Sequence, residues 1–174
     1  MSEQPGSGQG PTPTEDSVDR HIARWRGKVP FDVPTEEVIT RIQLLAKHVQ
    51  RAKERALAET GLQPFEFETL HRLASRGEPW RATPSELAAE LLLSPAGVTG
   101  RLDTLEKAGL VRRLRAADDR RRVDVELTGE GRTRWLAAMR LRGLAETAML
   151  EPFAPAETAE LAALLKRMLL HVEG

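Results

Sequence analysis

Three observations predict a mainly α fold with one small sheet. Helix start signals recur along the chain, at Pro64, Thr83-Pro84, Ser94-Pro95 and Thr128. The apolar residues that follow them repeat at helical spacing rather than alternating. Alternation is confined to residues 110–127, where two short strands flank a polar tip.

Residues 81–131 carry the clearest pattern. Thr83 is placed to cap a helix, Pro84 suits its first turn, and Glu86 can reach back to complete a capping box. Leu87, Leu91 and Leu92 then share one face. Ser94-Pro95 restarts a helix almost at once, so the chain must turn sharply between two short helices. In the second helix Val98, Leu102 and Leu105 form an apolar stripe, and Gly109 ends it. Helix, tight turn and helix is the geometry that seats a second helix in a DNA major groove.

Residues 110–115 can form one strand, and Val123, Val125 and Leu127 alternate with Arg122, Asp124 and Glu126 in the next. Residues 116–121 are the hairpin tip. Residues 101–122 hold eight Lys/Arg and four Asp/Glu, whereas the whole chain has a formal net charge of +0. A neutral protein with one basic element offers a localised phosphate footprint. The fold class is therefore a mainly α winged helix-turn-helix, with a two- to three-stranded wing between long N- and C-terminal helices.

The run Ser85-Glu-Leu-Ala, then Val98-Thr-Gly-Arg-Leu-Asp-Thr-Leu-Glu-Lys-Ala-Gly-Leu-Val-Arg-Arg, then Asp118-Asp-Arg-Arg and Val125-Glu-Leu-Thr-Gly-Glu-Gly resembles the MarR family of winged-helix transcription regulators. The resemblance implies that residues 95–107 are the recognition helix and that residues 119–121 sit at the wing tip. It also implies a salt bridge between Asp119 and Arg121, with the arginine entering the minor groove. A narrow minor groove concentrates negative potential, which suits a guanidinium.

The whole chain, 174 residues, 40% hydrophobic and without cysteine, is long enough for a real core and has no disulfide, thiol sensor or Cys-based metal site. No apolar run reaches membrane-spanning length and no signal peptide is visible, so a soluble cytoplasmic protein is expected. Residues 1–16 read as a disordered tail rich in Gly, Pro, Ser, Gln and Thr. Their Gly-Ser-Gly-Gln-Gly is no phosphate loop, because no strand precedes it. Val18, Ile22 and Trp25 predict a short amphipathic helix. Thr35 is expected to cap a long helix with a stripe of Val38, Ile42, Leu45, Val49, Ala52 and Ala56, closed by Gly61. Phe65, Leu70 and Leu73 mark another, ended by Gly77. Beyond the wing, Thr128 starts a helix through Trp135, Leu136, Met139 and Leu144. The last helix gathers Leu161, Leu164, Leu165, Met168, Leu169 and Val172 on one wide face.

The expected organisation is a tail (1–16), an added helix and dimerisation helix (17–61), a DNA-binding lobe (62–131) and C-terminal dimerisation helices (132–174). A winged helix alone needs far fewer residues, so the terminal helices must bury their stripes elsewhere. The resemblance implies a two-fold homodimer in which first and last helices interlock, reading a palindromic operator in duplex DNA.

Candidate DNA contacts are Ser94, Ala96, Gly97, Thr99, Gly100, Arg101 and Thr104 on the second helix, with Arg112, Arg113, Asp119, Arg120 and Arg121 on the wing. Ala96, Gly97, Gly100, Arg101 and Thr104 project away from the apolar stripe. Many family members carry Arg or Asn where Gly100 stands, which shifts base readout toward Arg101. Thr99, Arg112, Arg113 and Arg120 suit phosphates, which position rather than specify.

The Asp19-Arg-His-Ile-Ala-Arg-Trp-Arg segment, with Pro64-Phe-Glu-Phe-Glu-Thr-Leu, is similar to the PecS/HucR-type, urate-responsive branch of that family. That likeness implies an effector pocket at Trp25, Glu68, Arg101 and Arg113, for urate or another small anion. Glu68 replaces the usual Asp of that branch and is one methylene longer. Enzymatic function is not expected, since His21, His48, His71 and His171 show no metal-ligand spacing and no nucleophile elbow or cofactor loop is present. The alternative is a winged-helix protein–protein interaction module without ligand response.

Overall fold

The computed structural model describes residues 14–115 and 123–174. Among these, the elements run α1 (Ser17–Trp25), α2 (Val33–Thr60), α3 (Pro64–Ala74), β1 (Arg81–Ala82), α4 (Pro84–Glu90), α5 (Pro95–Lys107), β2 (Val111–Arg115), β3 (Val123–Leu127), α6 (Gly129–Ala148) and α7 (Pro155–Glu173). The described residues divide into two compact units, parted between His48 and Val49. No helix among the described residues is long and apolar enough to cross a membrane.

In the first unit, α1 is closed by a capping box. The Asp16 side chain accepts from the Val18 and Asp19 amides at 2.7 and 3.0 Å, and Asp19 accepts from the Asp16 amide at 2.9 Å. Arg41 of α2 clamps the same pair, 2.8 Å from Asp16 and 2.6 Å from Asp19. That guanidinium, helped by the helix amides, lowers the Asp16 carboxyl to about 2. Val18 and Ile22 are buried, whereas Trp25, predicted on the same stripe, is 41% exposed. The long helix starts three residues earlier than a Thr35 cap predicts. Asp32 caps it, its carboxylate accepting from both the amide and the hydroxyl of Thr35 at 3.0 and 2.6 Å. Pro34 fits inside that first turn because it has no amide to satisfy. Along α2 the expected stripe is buried only at Ala52 and Ala56; Val38, Leu45 and Val49 stay exposed.

The second unit is organised on α3. Phe67, Leu70 and Leu73 sink into one core with Leu87, Val98, Leu102, Leu105, Leu110, Val111, Val125 and Leu127. Fully burying each such side chain is worth roughly 1.5–3 kcal/mol, so the two helices of the turn motif and the sheet are held by common contacts. Phe67, rather than the expected Phe65, enters this core; Phe65 stays half-buried, with the Arg101 guanidinium 5.7 Å from its ring centre. Leu92 also departs from the expected face. α4 ends at Glu90, Leu91 closes it, and Leu92 adopts a left-handed backbone (φ +52°) that turns its side chain out to 92% exposure.

Three antiparallel strands form the sheet in the order β1-β3-β2, with Arg81 and Arg112 both facing Glu126 across β3. The α6 helix begins against the residues that lead into β2. Thr128 caps it, accepting from the Gly131 amide at 3.0 Å while its hydroxyl donates to the Gly109 carbonyl at 2.7 Å. Gly131 lies so close that a Cβ there would sit 2.1 Å from the Leu110 carbonyl oxygen. By contrast, α7 buries none of its residues, and Leu164, Leu165, Met168, Leu169 and Val172 are all exposed.

Candidate nucleic-acid interface

The two short helices are built as their residues dictate. Thr83 and Glu86 complete the expected capping box on α4, the Thr83 hydroxyl accepting from the Glu86 amide at 3.2 Å and the Glu86 carboxylate from the Thr83 amide at 2.7 Å. Ser94 caps α5, accepting from the Gly97 amide at 3.1 Å. Val98, Leu102 and Leu105 anchor α5 to the core, which leaves Ala96, Gly97, Gly100 and Thr104 on its opposite, exposed face, with Thr99 at the flank. Among the described residues, and apart from the backbone of α5 itself, no atom lies within 4 Å of the position a Cβ would take at Gly100. At Gly97 that atom would sit 3.3 Å from the Ser94 hydroxyl, close to the cap itself.

Arg101 does not project freely as expected. Its guanidinium turns back to α3, 2.9 Å from the Glu68 carboxylate, and its side chain is only 18% exposed. The reason is local: Glu68 and Phe65 together offer a charge partner and a ring face, which a guanidinium prefers to solvent. The structure thus joins two of the four expected effector residues. The third, Arg113, is engaged elsewhere. It reaches Asp103 at 2.6 Å and Glu106 at 2.7 Å on α5, and its own amide donates to Glu106 at 3.0 Å. Burial works against its charge, but those hydrogen bonds win and raise its pKa. The fourth, Trp25, belongs to the first unit, where it lines a hollow of about 310 Å³ with His21, Val29, Phe31 and Glu36.

On the outer face of the sheet, Glu126 is bound by both Arg81 and Arg112. Burial pushes its carboxyl up, yet the two guanidinium hydrogen bonds more than offset this and lower it. Arg112 keeps 60% of its side chain exposed, so it retains donors for a phosphate. Asp119, Arg120 and Arg121 lie outside the described residues.

Two features escaped sequence reasoning. The Arg81–Glu126–Arg112 group needs the cross-strand register, which no single strand carries; the placing of Glu126 on the polar side of β3 was the available hint. The pairing of Arg113 with Asp103 and Glu106 had a weaker signal, since the partners stand on different elements.

A second hollow, of about 530 Å³, lies within the larger unit and is lined by Lys53, Phe65, Glu68, His71, Arg72 and Arg142 among others. Its ring face is ordered: His71 stacks on Phe67 with centres 5.7 Å apart, and its Nδ1 accepts from the Trp135 indole at 3.2 Å. Burial, then the nearby Arg72, Arg142 and Lys53, lowers the His71 pKa and favours the neutral ring. Among the described residues no group of His, Asp and Glu is arranged to hold a metal ion.

Residues 60–122 match the profile of the MarR family. The chain is 32% identical over 152 residues to the HTH-type transcriptional regulator PecS of Dickeya dadantii (strain 3937), covering 87% of this chain and 92% of that protein. Among solved structures it is similar to the YusO protein of Bacillus subtilis, with a TM-score of 0.71 at 22% identity, over 82% of this chain and 99% of that one. It is also similar to MepR of S. aureus in a MepR–DNA complex, with a TM-score of 0.65 at 21% identity, over 75% of this chain and 96% of that one.

Proposed function

This chain belongs to the MarR family of transcriptional regulators, and from that premise we propose that it binds a palindromic operator as a homodimer and represses transcription until a small anionic or aromatic effector releases it. One observation carries the DNA-binding reading. The α5 helix buries one apolar stripe completely and leaves its opposite face exposed among the described residues, beside β2, whose Arg112 is largely exposed. A helix so presented, at the end of a tight turn, fits a major groove.

Pairing is supported by α7, whose wide apolar face is left exposed among the described residues. Bare apolar surface of that extent favours association, and a two-fold pair supplies two half-sites roughly one helical turn apart. The effector reading is supported by the basic, ring-lined hollow of the larger unit, which includes Glu68 and His71; a role for Trp25 rests on the family likeness. Aromatic walls with convergent cations suit a planar anion such as urate. Such a ligand releases DNA only by preferring one of two dimer arrangements.

A duplex-binding titration with purified protein tests the first part: a sequence-dependent, salt-sensitive complex supports it, and indifference to duplex DNA overturns it. Trp25→Ala tests the last. The variant should bind operator normally and lose release by urate; unaltered release would remove Trp25 from the effector site.

A further inference from the structure

We propose that the recognition helix reads its operator chiefly through thymine methyl groups, met by the methyls of Ala96 and Thr99, rather than through hydrogen-bonding side chains. The inference rests on the DNA-binding reading above and goes on to name what α5 recognises.

Three observations lead to it. First, the Ser, Thr, Arg and Asp side chains at the start of and along α5 each already make a contact within the protein. The Ser94 hydroxyl accepts from Gly97 at 3.1 Å, Thr99 donates to the Pro95 carbonyl at 2.8 Å, and Thr104 donates to the Gly100 carbonyl at 3.1 Å. Arg101 is held by Glu68 and Phe65, and Asp103 is engaged by Arg113. Second, a threonine whose hydroxyl is bound to its own helix presents its methyl on the other side of the Cβ. With Ala96 exposed nearby, the leading half of α5 shows methyl groups where regulators usually show amides or guanidines. Third, such short side chains reach bases only if the backbone comes close, and the empty surroundings of Gly100 permit that approach.

In the major groove thymine alone carries a methyl, and Ala or Thr contact with it is an established form of readout. The minor groove shows no methyl, so the contribution of the wing is independent of it. One buried methyl is worth roughly a four-fold change in Kd.

The test uses an operator selected by the full-length protein from a randomised duplex pool, then resynthesised with deoxyuridine in place of thymidine. The uridine duplex should bind more than about four-fold more weakly, the value of one methyl. Combining Ala96→Gly with Thr99→Ser should weaken binding to the thymidine duplex and erase the difference between the two duplexes. Arg101→Ala should leave the ratio unchanged. A ratio below about four-fold for the native protein, or one that survives the double substitution, overturns the proposal. Failure to select any duplex would instead overturn the DNA-binding reading itself. Circular dichroism of each variant separates lost contacts from lost folding.

Discussion

Replacing Gly100 with alanine should make this protein more stable and a worse DNA binder. Gly100 lies inside α5, where its backbone is ordinary helix and a Cβ would meet no atom of the other described elements within 4 Å. The added methyl therefore carries no steric cost in the free protein. The helix-propensity difference between Gly and Ala is about 0.8–1 kcal/mol, and little offsets it at an exposed position. For a chain of this size that corresponds to a rise in Tm of about 2–4 °C. On DNA the same methyl occupies the surface that must approach the groove, so operator affinity should fall several-fold. Thermal unfolding followed by circular dichroism reads the first quantity, and fluorescence anisotropy with a labelled operator reads the second. Opposite signs are the expected result, a trade of stability for function. A variant that gains stability and binds DNA unchanged would refute the idea that the glycine is there for close approach.

Other perturbations follow from the same contacts. Gly131→Ala forces a Cβ to within 2.1 Å of the Leu110 oxygen, so α6 must shift off the residues that lead into β2; a loss of roughly 1–3 kcal/mol or more in denaturant unfolding is expected. Leu92→Gly should do the reverse, since left-handed backbone costs a non-glycine residue about 1–2 kcal/mol and this side chain is 92% exposed. Asp16 gives a pH signature. Its folded pKa is depressed to about 2 by Arg41 and the helix amides, so its contribution is present above the ordinary value of 3.8 and is lost as pH falls toward 2. Carboxyl NMR titration should show the Asp16 pKa rising in Arg41→Ala while staying below the ordinary value, because the Val18 and Asp19 amides still donate to it. Finally, Leu165→Glu with Leu169→Glu on the bare face of α7 should convert a dimer to a monomer in sedimentation equilibrium without removing a buried side chain.

Where local chemistry decides, the sequence was readable. Thr83 with Glu86, Ser94 before Pro95, and Thr128 each carry a cap whose partner stands three residues away, and each cap forms. The Val98, Leu102 and Leu105 stripe is buried because one helix face has one neighbour, the core. Errors arose where a choice between adjacent residues depended on tertiary partners. Asp32 outcompetes Thr35 as a cap because its carboxylate can serve both the amide and the hydroxyl of that same threonine. Leu92 fits the helical spacing but falls just past the end of α4, in the turn. Periodicity cannot see where a helix stops. The periodicity of α5 shows Arg101 only as projecting from the helix; the family likeness put it beside Glu68, and the ion pair that holds it there comes from the packing of α5 against α3. The two-residue β1 was invisible for a similar reason, since its identity as a strand comes from pairing with Val125 and Glu126.

The central claim is that paired copies of α5 and the wing grip duplex DNA. Operator binding by the purified protein, titrated between about 50 and 200 mM salt, tests it most directly. The account predicts a dimer whose affinity falls roughly a thousand-fold across that range as phosphate contacts are lost. A monomer, or a complex whose affinity barely responds to salt, would contradict it.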